Sequence, residues 1–257
     1  MSLDFTPNPG AAPLSSMIRS QTVMELRLLL RNGEQLLLAL VIPLLVLVAG
    51  TKSSSVMDLG SGRPIDIVAP GVLALAVLST SFTSLAIATG FERRYGVLKR
   101  LGASPLPRSG LLAGKIGAVL VVEFIQLAIL STVGFLLGWE PVGGAASFGW
   151  LVVLTLLATA AFGSLGLLIA GTLRAEATLA FANLVYVILL VGGAVIVPLD
   201  RYPASLHGVI QLLPSTALGE GLRDAFAGIV PAPIVFLVLA AWAVAGTLAT
   251  AKTFKWE

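Results

Sequence analysis

"GFERRYGVLKRLGASPLPRSGLLAGKI", residues 90–116, puts six basic side chains, Arg93, Arg94, Lys99, Arg100, Arg108 and Lys115, into one short stretch of an otherwise apolar chain. On both sides lie apolar runs of about 20 residues, long enough to cross a hydrocarbon core of roughly 30 Å. The 257 residues are 57% hydrophobic and 11% charged, with a mean hydropathy of +0.98; soluble domains carry about 25% charged residues. The chain therefore reads as an all-α integral membrane protein, and the basic stretch as a place where it meets water. The absence of cysteine excludes disulfides and thiol–metal sites. No interleaving of aromatic and basic residues points to nucleic acid.

Residues 1–13 are rich in proline and small residues and read as a disordered tail, leaving 14–257 as a single transmembrane domain. Next comes a helical segment from Leu14. Leu14, Met17, Ile18, Met24, Leu28 and Leu29 share one side, interrupted by Gln21 and Glu25. It reads either as a helix lying in the membrane interface or as an extension of the first span. Six spans follow, near 34–51, 67–90, 110–138, 147–172, 177–198 and 231–251. The apolar segment 198–224 is too greasy for a free loop, and short outer helices dipping back toward the bilayer are expected there.

Lys and Arg counts orient the layout. Twelve of the sixteen basic residues fall on one side and four, Lys52, Arg63, Arg201 and Arg223, on the other. The basic side is expected to be cytoplasmic, with both termini there, in a multi-pass protein of the cell membrane. The basic stretch itself carries an apolar stripe, Val97, Leu98 and Leu101, among its charges. Gly102, Pro105 and Pro107 break that helix, and Ser109 stands where it would N-cap the third span. A minimal connector needs neither stripe nor turn, so the loop reads as a docking element as well as a topology signal.

Three stretches carry a family resemblance: "MELRLLLRN" at 24–32, "FERRYGVLKRLGASPLPRSGLLAGK" at 91–115 and "LLPSTALGEGLRDAFAG" at 212–228. Together with the six-span layout they resemble the membrane (permease) subunit of type-2 ABC exporters, the group that includes bacterial antibiotic and multidrug exporters of the daunorubicin-resistance kind. Tyr95-Gly96-Val97 departs from the pattern, in which many relatives carry a more polar residue after the glycine. The resemblance implies a dimer of six-helix subunits, homo- or heteromeric, whose loop of Glu92, Arg93, Arg94, Val97, Leu98, Lys99, Arg100 and Leu101 acts as a coupling helix against a separate ATPase subunit. A Walker A loop requires G-x-x-x-x-G-K-[ST], and the nearest match, "GLLAGKI" at 110–116, is one residue short and lacks the hydroxyl. No cofactor is expected on this chain; ATP and Mg are expected on the partner, and the chain is not itself an enzyme.

Candidate pathway residues are Thr80, Ser84, Glu123, Gln126, Asn183 and Tyr186. Glu123 is the one carboxylate deep inside a span, an expensive placement that marks either a functional group or a helix contact. It is expected to be protonated or to face a hydrated cavity. Thr80 and Ser84 either line a path or bond their own helix backbone. Asn183 and Tyr186 either touch cargo or satisfy each other. An ion-coupled secondary transporter using Glu123 is the alternative function, but the inverted repeats it predicts are not visible. Spans of Leu, Val, Ala and Gly suit hydrophobic or amphiphilic cargo, such as a drug, an antibiotic or a lipid.

The charge bias generates a topology test. Single cysteines at Ser54 and Ala204 are expected to label from outside whole cells, and one at Ser104 is not. Efficient external labelling at Ser104 would reverse the orientation.

Overall fold

The computed structural model describes residues 10, 12–52 and 63–256. Most of the expected tail, and the outer position Ser54, lie outside the described residues. Helix α1, Leu14–Arg31, stops at Asn32, so it is a helix of its own rather than an extension of α2, Gly33–Lys52. Its expected apolar stripe faces the protein only in part, Met17, Ile18 and Leu29 being half-buried. Leu14, Met24 and Leu28 are exposed, whereas the interrupting Gln21 and Glu25 are the buried residues, packed against α6, Arg108–Leu136. Glycine makes the approach possible: a Cβ at Gly114 would stand 2.5 Å from the Gln21 side chain.

The second expected span is longer than 67–90. It runs continuously from Pro64 to Arg94 as α3, Pro64–Leu78, a π-helical turn, Ser79–Ser84, and α4, Leu85–Arg94. At 1.5 Å per residue its 31 residues extend about 45 Å, well beyond a hydrocarbon core. Helix α3 is buried on every side, as a helix apolar all round should be. The π turn falls where hydroxyls cluster. Ser79 donates to the Ala76 carbonyl (3.0 Å) and Ser81 to that of Val77 (2.5 Å), so two of these side chains bond their own helix.

Beyond α4, Gly96 adopts φ +68°, a left-handed conformation that ends the helix and starts the short α5, Val97–Leu101. The expected coupling helix is thus split: Glu92, Arg93 and Arg94 belong to the span helix, and only Val97 to Leu101 form the loop helix. Ser109 is not a cap either. Pro107 is, its carbonyl accepting from the Leu111 N–H (3.0 Å), because a proline already fixed in extended backbone starts the helix directly after itself.

Helices α7, Gly144–Thr172, α8, Ala175–Gly192, and α11, Pro233–Thr253, complete the long elements. Among the described residues five segments are long and apolar enough to cross a membrane: 64–94, 108–136, 144–172, 175–192 and 233–253. The described apolar part of α2, Ala39–Thr51, is shorter. Helix α8 ends at Gly192 rather than 198, and the chain then turns through a short 3-10 turn, Leu199–Arg201, α9, Ala204–Ile210, and α10, Pro214–Phe226. Helix α10 is buried along most of its length against α7, α3 and α11. Two glycines of α7 allow close packing, Gly163 against Ile116 and Gly166 against the π turn.

That last contact is testable. A Cβ at Gly166 would lie 2.8 Å from the Phe82 carbonyl oxygen, whereas one at Gly149, on the same helix, meets nothing within 4 Å. Gly166→Ala is expected to lower the thermal unfolding midpoint in detergent by several degrees. Gly149→Ala should be neutral or slightly stabilising, by up to about 1 kcal/mol.

Candidate functional site

Lys115 lies two turns into α6 with its side chain only 2% exposed. Its ammonium meets Glu25 of α1 at 2.8 Å and also pairs with Glu92 of α4. Gln21 donates a further bond to Glu25 (2.7 Å). One cation therefore ties three helices, and Glu92 points inward to it rather than out toward a partner.

The other basic residues of the opening stretch are mostly engaged within the chain as well. Arg93 donates to the Gly171 carbonyl (2.5 Å) and to that of Leu173, capping the C-terminal end of α7. Arg94 pairs with Glu176 in the first turn of α8. Arg100 folds back onto the Tyr95 carbonyl (3.0 Å), and Arg108 stacks over Trp256, 5.0 Å from its ring centre. Lys99 remains exposed. Leu98, expected in the docking stripe, is fully buried within its own chain, while Val97 and Leu101 are half-buried. The five-residue α5 has one inner face, and Leu98 occupies it.

A cleft runs from this tie toward the middle of the molecule. Its first part, about 240 Å³, is walled by α1, α4 and α6, with Thr80, Ser84 and Val119 in it and Glu25, Glu92 and Lys115 also lining it. A second part, about 410 Å³, shares Asn32, Ala39 and Ser84 with the first and is lined further by Thr83, Leu179, Asn183 and Tyr186. Four of the six expected pathway residues, Thr80, Ser84, Asn183 and Tyr186, therefore line one cleft. The π turn aims Thr80, Thr83 and Ser84 toward it, and the Thr83 hydroxyl has no hydrogen-bond partner among the described residues. Pro43 of α2 also faces it.

Gln126 lies behind the wall. It accepts from Thr80 (2.8 Å) and donates to the Ala39 carbonyl (3.3 Å), bracing the cleft from α6. Glu123 is elsewhere. With 0% exposure it accepts a hydrogen bond from Thr159 of α7 (2.6 Å) and lines neither part of the cleft. Three positions along α6 separate a residue facing α7 from one facing α2 and the π turn, so the spacing did not put Glu123 and Gln126 on one working surface.

The opposite end is closed by Arg223 of α10. It donates to the carbonyls of Ala194 (3.1 Å) and Val195 (2.6 Å) and pairs with Glu220 (2.6 Å), whose carboxylate also accepts from the Leu199 N–H (3.1 Å). Burial pushes the guanidinium below the usual arginine range, against the opposing pull of Glu220. Asp224 beside it is pushed up by burial and by the neighbouring Glu220 charge. Ala194 holds a left-handed φ of +48° at this turn. The Glu-Gly-Leu-Arg stretch thus clamps the turn after α8 onto α10.

Residues 17–227, most of the chain and all of the elements just described except α11, match the family described as ABC-2 type transporter. The chain belongs to the ABC-2 type transporter family. It is also similar to "Putative transport permease YvfS" of Bacillus subtilis (strain 168), with 22% identity over 231 residues, covering 88% of this chain and 92% of that protein. As an ABC-2 family member it is a membrane transport subunit of the permease kind.

The residue least visible in sequence was Lys115, one more basic residue in a basic stretch. The available signal was Glu25 breaking the α1 stripe opposite two small residues of α6, Gly114 and Gly117. Removing one partner of a buried ion set leaves the others uncompensated and costs roughly 3–5 kcal/mol. Lys115→Met is expected to lower the unfolding midpoint strongly. Adding Glu25→Gln to Lys115→Met should recover part of that loss. A Lys115→Met protein as stable as wild type would show that the tie contributes nothing.

Proposed function

We propose that this ABC-2 chain is the permease of an ATP-driven exporter, forming the path for a hydrophobic or amphiphilic substrate as a dimer with separate ATPase subunits. The cleft carries this reading. It is apolar along most of its wall, with the hydroxyls of Thr80, Thr83 and Ser84, the amide of Asn183 and the phenol of Tyr186 set along it. An amphiphile needs such a surface: apolar area for its tail and a few polar groups for its head. Its charged end abuts α4, the helix that leads directly into the exposed loop of Tyr95, Lys99 and Arg100. A push on that loop would reach the cleft through one continuous helix. In this reading α2 is the first of six spans, the basic side is cytoplasmic, and drug or antibiotic efflux belongs to the same class of cargo. An ion-coupled carrier working through Glu123 is not favoured, because that carboxyl is sealed between α6 and α7.

The loop's docking role is tested with side chains that do not hold the fold. Leu98 is unsuitable, since a charge there would disrupt the chain's own packing. Lys99→Glu reverses the charge of an exposed residue. Pulled from native membranes, the variant is expected to retain its unfolding midpoint but to bring down at least tenfold less ATP hydrolysis than wild type. Equal recovery of ATPase activity would remove this loop from the coupling surface.

A further inference from the structure

A separate pocket of about 330 Å³ lies where α4 and α7 end and α8 begins, lined by Gly90, Arg93, Arg94, Arg174, Ala175 and Glu176. Three guanidinium groups surround it, against a single carboxylate. Arg93 is fixed by its two bonds to the end of α7, and Arg94 is held by Glu176. Arg174 is exposed, and its side chain makes no hydrogen bond or ion pair among the described residues. It is also the N-cap of α8, with extended backbone and no side-chain cap, so the first N–H groups of an 18-residue helix are left open beside it.

Three arginines, one unengaged, next to an uncapped helix N-terminus form a site for phosphate oxygens: arginine binds them bidentately, and the helix end adds donors and a favourable dipole. Location selects the form of phosphate. The pocket sits at the ends of apolar spans on the basic side. From it α8 continues with exposed apolar side chains, Phe181 at 45%, Leu184 at 56% and Ile188 at 56%. A molecule with phosphate in the pocket and acyl chains along that face fits both surfaces. We infer that the Arg93–Arg94–Arg174 pocket binds the headgroup phosphate of an anionic membrane lipid.

The test uses the full chain, purified in a neutral detergent and titrated with phosphatidylglycerol, phosphatidylcholine or glycerol phosphate while bound lipid is counted by native mass spectrometry. Phosphatidylglycerol is expected to bind in preference to phosphatidylcholine. Arg174→Gln should weaken it about fivefold, the effect of losing one basic residue near an anionic surface, and Arg174→Lys should restore most of it. Arg19→Gln, on α1, should change nothing. Because the Arg174 side chain has no partner among the described residues, an unchanged unfolding midpoint is expected and separates binding from folding. Equal binding of phosphatidylglycerol by wild type and Arg174→Gln would overturn the inference. So would displacement by glycerol phosphate at the same concentration as the lipid, which would assign the pocket to a soluble phosphate ester. Unaltered lipid binding with loss of the copurifying ATPase activity would assign it to a protein interface, and the inference would also fall.

Discussion

Lys115 places an ammonium two turns inside a helix long and apolar enough to cross a membrane. Removing an ammonium from water costs several kcal/mol, and only close opposite charges offset it. Glu25 and Glu92 supply those charges from two other helices, so α1, α4 and α6 cannot separate at this end without exposing three buried ionic groups. The arrangement fixes where α1 lies, with Gln21 and Glu25 inward. It also fixes the foot of α4, and with it the first wall of the cleft.

The far end is fixed by a different device with the same logic. Arg223 gathers two backbone carbonyls and a carboxylate, and so binds the turn after α8 to α10. Between these two polar ties the helices meet mainly through small residues and aliphatic packing, as expected where lipid removes the usual hydrophobic drive between helices. The cleft occupies the intervening stretch, at the one place where the regular helix gives way to a π turn. Such turns are rare and recur at functional positions. Here the extra residue re-aims a run of hydroxyls, Ser79 to Ser84, so that some bond the helix itself while others face the cleft.

The basic stretch serves more ends than a loop would need. Arg93 and Arg94 join α4 to α7 and α8, Arg108 receives the C-terminal Trp256, and Arg100 braces its own turn. Together with the N–H of Lys255, which donates to the Gly171 carbonyl at 3.0 Å, these contacts knit one face of the bundle together. Charge at a membrane boundary is cheap to place because water is near, and it is strong when paired because lipid is near. The same residues therefore serve assembly.

Composition and the spacing of apolar runs were enough to read an all-helical membrane protein and the approximate ends of most of its long helices. These follow from the length of a bilayer and the cost of charge within it, both of which act on the chain one segment at a time. The partner of each polar side chain was not legible. Glu92 reads as a docking residue until Lys115 is found beside it, Leu98 reads as outward until α5 folds its one apolar side inward, and Glu123 and Gln126 share a spacing but face different neighbours. Each depends on which helix lies opposite, a relation between segments tens of residues apart, and only the tertiary structure decides it.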